Sequence, residues 1–290
     1  MWETIAQHLE SVTGLSLGTP QVRSTGGGCI NQGYQLTFDH QVYFVKLNRD
    51  TQVEMFQAEA VGLDAMAATQ TIRVPRPFCW GSTGQSAYLV LEWLELGGNH
   101  LQGWQEMGRQ LARLHRSSHS NHGFGWSQNN TIGSTPQLND WEQDWLKFWT
   151  EQRIGYQLKL GQRKGGHFPN GKALIDAMPN LLADYTPKPC LVHGDLWSGN
   201  AAITRSGEPV IFDPAPYYGD REVDLAMTEL FGAFPPAFYH GYNLEWELEA
   251  NYSQRKELYN LYHILNHFNL FGGGYEASAN RMIDRLLSSL

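Results

Sequence analysis

The hydrophobic pattern changes character near residue 95. Before it, short apolar runs predict strands around Val22–Ser24, Tyr34–Phe38, Val42–Lys46, Phe78–Trp80 and Ala87–Leu91. Two helices interrupt them. One covers residues 1 to about 13 and ends at Gly14; the other follows Thr51, where Thr51-x-x-Glu54 has the form of a capping box. In the second helix Phe56, Ala60, Leu63 and Ala67 recur at spacings of four, three and four, which makes one apolar stripe with Glu59 beside it. Ile72–Pro77 is extended, because a residue before proline is pushed out of the helical region.

Beyond residue 95 the rhythm is helical. Trp104, Met107, Leu111 and Leu114 form a stripe that ends at His115, expected to be packed rather than catalytic. Trp141, Trp145, Phe148 and Trp149 predict an aromatic-rich helix over Asp140 to about Leu160. A further helix is expected near Lys172–Ala183, another through Leu258, Leu261, Leu265 and Phe268, and a last segment over Met282–Leu290. Ser117–Asn139 is polar and rich in Gly, Asn and Ser, and a loop of that length predicts a functional segment or a lid. The fold class is α+β in two lobes, with an antiparallel-sheet N-lobe over 1–95, a mostly helical C-lobe over 96–290 and a cleft between them.

Two apolar runs end on carboxylates. Leu191-Val192-His193-Gly194-Asp195 is followed five positions later by Asn200, and Val210-Ile211-Phe212 ends on Asp213. Two acids and an amide at neighbouring strand ends suit phosphoryl transfer from ATP. One Asp takes the proton of the attacking hydroxyl, while the Asn and the second Asp hold magnesium on the phosphates. Two other readings compete. The residues form a polar turn and a solvated strand end, or His193, Asp195 and Asp213 are metal ligands of a hydrolase.

Upstream parts favour the kinase reading by their order. Gly26-Gly27-Gly28-Cys29-Ile30-Asn31 is a glycine-rich turn between strands, where backbone amides can approach phosphate. Lys46 closes a strand and shares one face with Val42 and Phe44, and Glu59 follows on a helix. Lysine on the phosphates with glutamate orienting it is the N-lobe arrangement of a kinase, and a hydrolase leaves both unexplained. The Walker pattern G-x-x-x-x-G-K-[ST] is absent. Glu92 to Gly98 has the form of a hinge, and the backbone of Glu92, Trp93 and Leu94 is expected to meet an adenine edge.

Composition adds compartment and partner. The 290 residues are 41% hydrophobic, enough for two lobes with cores, and the net charge of −8 argues against general affinity for nucleic acid. Three dispersed cysteines, Cys29, Cys79 and Cys190, make neither a disulfide framework nor a zinc pattern. With no signal-peptide pattern and no apolar run near the ~20 residues of a membrane span, the expectation is a soluble cytoplasmic protein, monomer or homodimer.

The chain resembles the ketosamine (fructosamine) kinases, a branch of the aminoglycoside-phosphotransferase and choline-kinase group within the protein-kinase-like fold. The matching residues are Gly26–Asn31, Phe44-Val45-Lys46, Met55-Phe56-x-x-Glu59-Ala60-x-Gly62-Leu63 and Ile72-Arg73-Val74-Pro75-x-Pro77. Asn130-Thr131-Ile132-Gly133, Gln137-x-Asn139, His193–Asn200 and Phe212–Met227 complete them. The run Leu196-Trp197-Ser198-Gly199 and the tail Tyr217-Tyr218-Gly219-Asp220-Arg221-Glu222 narrow the resemblance to this branch.

It implies ATP-dependent phosphorylation of the 3-hydroxyl of a ketosamine, with a product that breaks down and frees the amine. It also implies Asp195 as base, Asn200 and Asp213 as magnesium ligands, and Lys46 with Glu59 as the phosphate-orienting pair. His193 and Asp224 become braces of the catalytic loop. Asn31 departs from the third glycine of the kinase loop, so phosphate contact falls to the backbone of residues 26–30. Trp197 either stacks on the sugar or packs in the core. Cys29, a thiol among amides aimed at phosphate, is a candidate redox switch, whereas Cys79 and Cys190 read as buried hydrophobes. Two alternatives stand beside this function: a kinase for another amino-alcohol or an aminoglycoside, and a catalytically silent nucleotide-binding protein.

Overall fold

The computed structural model describes residues 1–26, 30–98, 101–249 and 251–290. Gly27, Gly28 and Cys29, and with them the proposed redox switch, lie outside the described residues. Helix α1 (Trp2–Thr13) buries Ile5, Ala6 and Leu9 and stops at Gly14. Strands β1 (Gln21–Thr25), β2 (Gln32–Phe38) and β3 (Gln41–Arg49) are followed by helix α2 (Val53–Ala68), then β4 (Pro77–Ser82) and β5 (Ser86–Glu92). They form one five-stranded antiparallel sheet in the order β1-β2-β3-β5-β4.

Alternation along β3 divides two cores, as a period of two requires. Tyr43, Val45 and Leu47 pack with Ile5 and Leu9 of α1 on one face. Phe44 and Lys46 point to the other, where α2 and the cleft lie. Three local expectations need correction. Lys46 does not end its strand, which continues to Arg49 and pairs Lys46 with Gly33 and Leu89. Thr51 lies in a 3-10 turn (Asp50–Gln52), and no side chain caps α2, so the capping box does not form. Ala67 is exposed, and Met66 takes its place in the stripe.

The rest of the chain is mostly helical. Strand β6 (Leu96–Gly98) and helix α3 (Leu101–Ser117) precede the hairpin β7 (Asn130–Ile132) and β8 (Thr135–Gln137). Helix α4 (Trp145–Phe148) runs through a π-helical stretch (Trp149–Gly155) into α5 (Tyr156–Arg163), and α6 (Gly171–Leu181) follows. Strands β9 (Cys190–Val192), β10 (Ala201–Thr204), β11 (Pro209–Ile211) and β12 (Tyr217–Gly219) carry the catalytic segments. Helices α7 (Glu222–Leu230), α8 (Pro236–Glu245), α9 (Tyr252–Phe271) and α10 (Tyr275–Ser288) complete the lobe. The small sheets are β11-β10-β6 and β12-β9.

Residues 117–139 are not a solvated lid. Asn130, Gln137 and Asn139 are buried. Asn130 donates to the Pro216 carbonyl (2.8 Å) and Gln137 to the Ala215 carbonyl (2.9 Å), so the hairpin braces the segment after Asp213. Their polar character serves buried hydrogen bonds rather than solvent. The helix expected from Asp140 begins only at Trp145, because the Asp144 carboxylate caps the Leu146 N–H (2.9 Å). Trp141 lies before that cap and is exposed.

The two lobes join through the extended segment before β4. The Arg73 carbonyl accepts the Ile211 N–H (3.1 Å), and its guanidinium bridges Glu92 (2.5 Å) and Glu208. Among the described residues no helix is long and apolar enough to cross a membrane.

Candidate active site

A cleft of about 720 Å³ runs between the sheet lobe and the helical lobe. Strand β9 is fully buried and leads into His193 and Gly194. Gly194 has φ 79°, and a Cβ there would lie 2.1 Å from the Ala215 carbonyl oxygen, so the chain turns sharply only because this residue is glycine. The turn puts Asp195 in the cleft. On the facing segment, Asp213 itself adopts φ 59°, an unusual conformation for a non-glycine residue.

Asp224, on the first turn of α7, fixes this turn from behind. Its Oδ2 accepts the His193 N–H (2.7 Å), and its Oδ1 accepts the Gly194 N–H (2.8 Å). His115 donates from Nε2 to Asp224 Oδ2 (3.0 Å), and its Nδ1 meets the Tyr242 hydroxyl (2.9 Å), so His115 is packed as expected. Burial alone would raise Asp224, but His115 and His193 hold its carboxyl below the ordinary value. His193 donates from Nε2 to the Phe212 carbonyl (2.9 Å), and its Nδ1 accepts the Asp195 N–H (3.3 Å). That pattern requires the neutral ring, and burial pushes its pKa down accordingly.

Asp195 receives the Asn200 side-chain amide at its main-chain oxygen (2.8 Å) and at Oδ2 (3.2 Å). Its pKa is raised to about 7, first by burial and then by the charge of Asp213, with the Asn200 hydrogen bond pulling the other way. The folded protein keeps this proton above the ordinary value of 3.8, where the unfolded chain has released it. Ionisation therefore destabilises the fold progressively from about pH 4 to about pH 7, and the loss is complete above that. Asp195→Asn should melt higher than the parent at pH 8, with the difference vanishing below pH 4. Parallel melting curves across that range would contradict the assignment.

Lys46 stands between two carboxylates. Its Nζ is 2.6 Å from Glu59 Oε1 and pairs also with Asp213 Oδ1. Burial alone would lower the lysine, but the charges of Asp213 and Glu59 outweigh it and hold the ammonium above its ordinary value. Burial raises Glu59, against the pull of Lys46. The side chains of Lys46 and Glu59 are nearly inaccessible, whereas that of Asp213 is 43% exposed and faces the cleft.

The structure thus brings Lys46, Glu59, Asp195, Asn200 and Asp213 together, with Gly26, Ile30 and the Glu92–Leu94 hinge on the same cleft. Trp197 is 36% exposed and lines the cleft, so it is not a core residue. Gly199 lies under its ring, where a Cβ would come within 2.3 Å of the indole. The Glu92 carboxylate is occupied by Arg73, leaving only its backbone for a ligand. Cys79 and Cys190 are buried thiols pushed up to about 12 by burial, as inert as their strand positions suggested.

Several residues escaped the sequence reading. Asn48 on β3 donates to Asn31 Oδ1 (2.7 Å) and to the Ile30 carbonyl (3.3 Å), which pins the end of the glycine-rich turn. Phe231, His267, Phe271 and Tyr275 build an aromatic wall around Trp197, with Phe231 6.3 Å from Trp197 and 4.6 Å from His267. The available signal was in α9, where polar residues recur every third position, at Asn260, His263, Asn266 and Asn269, on its buried side.

The comparisons with known proteins agree along the whole chain. The family model described as fructosamine kinase matches residues 1–289. A protein named a probable ketoamine kinase in Synechocystis is 58% identical over 287 residues, covering 99% of this chain and 97% of its own. The chloroplastic protein-ribulosamine 3-kinase of Arabidopsis thaliana is 46% identical over 93% of this chain and 83% of its own. A crystal structure named for fructosamine-3-kinase, from Haemophilus somnus, superposes with a TM-score of 0.93 at 31% identity, covering 99% of this chain and 98% of that one. The chain belongs to the fructosamine kinase family.

Proposed function

We propose that this protein transfers the γ-phosphoryl group of ATP to the 3-hydroxyl of a ketosamine, with Asp195 as the base. The observation that carries the reading is the meeting of Lys46, Glu59, Asp195, Asn200 and Asp213 on one cleft. ATP-dependent phosphorylation of ketosamines is the activity of the family, and its 3-kinase members include the Arabidopsis relative.

The sheet lobe, 1–95, holds the nucleotide, and the lobe over 96–290 supplies the base and acceptor site. Gly26 and Ile30, which line the cleft, offer their backbone to the phosphates. The Glu92 N–H is given to the Arg76 carbonyl (2.8 Å) and the Leu94 carbonyl accepts the Leu96 N–H (3.0 Å), so the Glu92 carbonyl, the Trp93 backbone and the Leu94 N–H are assigned to adenine. Lys46, held by Glu59, places its ammonium on the α- and β-phosphates. Asp195 accepts the proton of the acceptor hydroxyl as that oxygen bonds to the γ-phosphorus. The bond from phosphorus to the β,γ-bridging oxygen breaks, and ADP leaves. His193 and Asp224 hold the backbone of the loop that presents Asp195.

The residues fit magnesium. Asp213 gives one oxygen to Lys46 and keeps Oδ2 without a partner among the described residues. Asn200 uses its amide NH₂ on Asp195, which leaves its oxygen to coordinate. Two protein oxygens plus phosphates suit a small hard cation, and such a site needs no cluster of three His, Cys, Asp or Glu, none of which occurs among the described residues. Bound there, magnesium would neutralise charge on the transferring phosphoryl group.

The exposed face of Trp197 stacks on the C–H face of the sugar, and the aromatic wall beside it accepts the amine end. Trp197→Ala should raise KM for a ketosamine several-fold, as expected for an aromatic contact worth ~0.5–1.5 kcal/mol beyond its area. KM for ATP should stay within about twofold, since the residue lies off the nucleotide. An equal rise in both would remove Trp197 from the acceptor site. Every group invoked comes from one chain, so a monomer or a homodimer serves equally. We place the enzyme in the cytoplasm, where the buried free thiols Cys79 and Cys190 stay reduced.

The test is a substrate panel with ATP and magnesium, comparing ketosamines with an aminoglycoside and choline. We expect kcat/KM to be highest for a ketosamine. Preference for either of the others would overturn the substrate class.

A further inference from the structure

Helix α9 buries Asn260, His263, Asn266 and Asn269 along one side, and the last three differ in their partners. Asn269 donates from Nδ2 to the Gln157 carbonyl (3.0 Å), and Asn266 lies 3.5 Å from the Ile132 carbonyl. His263, at 3% exposure, has no such partner. Its Nδ1 is buried without a hydrogen bond among the described residues. What it faces is the reacting carboxylate, with Asp195 Oδ1 3.9 Å away.

An unpaired buried ring nitrogen costs free energy and calls for an explanation. The surroundings supply one. Asp195 is gripped at Oδ2 alone, by Asn200 (3.2 Å), and among the described residues no hydrogen bond reaches Oδ1. A carboxylate held at one oxygen can still turn about its Cβ–Cγ bond. The imidazole stands on the open side, with Tyr262 edge-on to it at 5.2 Å. The backbone of His263 is also tied to the acceptor wall, since its carbonyl accepts from His267 Nδ1 (2.8 Å). Burial, and secondarily His267, lower the His263 pKa to about 3, so the ring carries one proton and no charge.

We propose that His263 is a positioning residue for the base: with nucleotide and acceptor bound, its Nδ1–H closes onto Asp195 Oδ1, so that Asn200 and His263 hold the carboxylate from both sides. The movement needed is about 1 Å, from 3.9 Å to ordinary hydrogen-bond length. Catalytic hydrogen bonds commonly tighten to that extent only in the loaded complex. The remaining lone pairs then face the acceptor hydroxyl. His263 itself takes no proton in the reaction. The inference rests on the reading of Asp195 as base.

Two readouts separate it from that reading. In protein labelled with 15N-histidine, with the His263 signals assigned by their loss in His263→Asn, Nδ1 should be the protonated nitrogen once a non-hydrolysable ATP analogue, magnesium and a ketosamine are added. An unprotonated Nδ1 overturns the proposal whatever the turnover. In kinetics, His263→Phe keeps the ring shape without the donor and should lose about tenfold to a hundredfold in kcat. KM for ATP should change by less than about twofold. His263→Asn places its Nδ2 where Nδ1 stands and should return to within about threefold of the parent. His263→Gln, whose donor lies one bond further out, should fall with His263→Phe. The Asn and Gln variants are equally polar, so their comparison survives if the Phe variant folds poorly. Equal kcat for His263→Asn and His263→Gln overturns the proposal, whereas an inactive parent bears on the Asp195 reading and leaves the NMR result to decide His263.

Discussion

Asp195→Asn should lose turnover by at least about 10²–10⁴-fold, the range for removal of a general base, and still bind ATP. The amide keeps the shape of the carboxylate but cannot take the proton of the acceptor hydroxyl. Lys46, Glu59 and Asp213 are untouched by the change, so the nucleotide side keeps its ion pairs. Single-turnover kinetics and a calorimetric ATP titration on one preparation measure both quantities. The same substitution should raise thermal stability above pH 7, because it removes a carboxylate that burial and Asp213 disfavour. A variant that turns over near the parent rate would remove Asp195 as base.

Lys46→Met should damage both stability and activity. The lysine is buried, and so is its partner Glu59, at side-chain exposures of 5% and 10%. Removing one member of a buried ion pair typically costs about 3–5 kcal/mol, since the other is left uncompensated. The contact with Asp213 adds less, because that carboxylate is 43% exposed and solvent screens it. Denaturant unfolding should show the loss. The double variant Lys46→Met/Glu59→Gln should recover most of it while phosphoryl transfer stays low. If the double variant is no more stable than Lys46→Met, the buried pair is not what the lysine stabilises. If Lys46→Met retains parental kcat, the lysine does not act on the phosphates.

These residues were legible in the sequence for a physical reason. Asp195 and Asp213 each follow a buried apolar strand, and Lys46 follows the period of two that fixes its face. Strand alternation and a turn glycine are local properties, so the chain order of Lys46, Glu59, Asp195, Asn200 and Asp213 already specified a cleft.

What the sequence hid depends on partners far along the chain. Asn130 and Gln137 look like loop residues until the segment at 215–216 accepts their hydrogen bonds. Asn48 lies beyond the strand expected over Val42–Lys46, yet from β3 it pins Asn31 just before the neighbouring β2. His263 falls on a helix whose apolar stripe was read correctly, but its significance comes from Asp195, brought there by β9. The spacing of Trp141, Trp145 and Phe148 also fits a helix, and it misled because the Asp144 cap starts the helix later than the aromatic pattern does.

The most direct measurement of the central claim is the position of the phosphate in the product. A ketosamine incubated with ATP, magnesium and the enzyme should give one ADP per phosphoester, and 31P–1H correlation should place phosphorus on the 3-oxygen of the sugar. Phosphate on a different oxygen, or ADP formed with no phosphoester on the ketosamine, would contradict it.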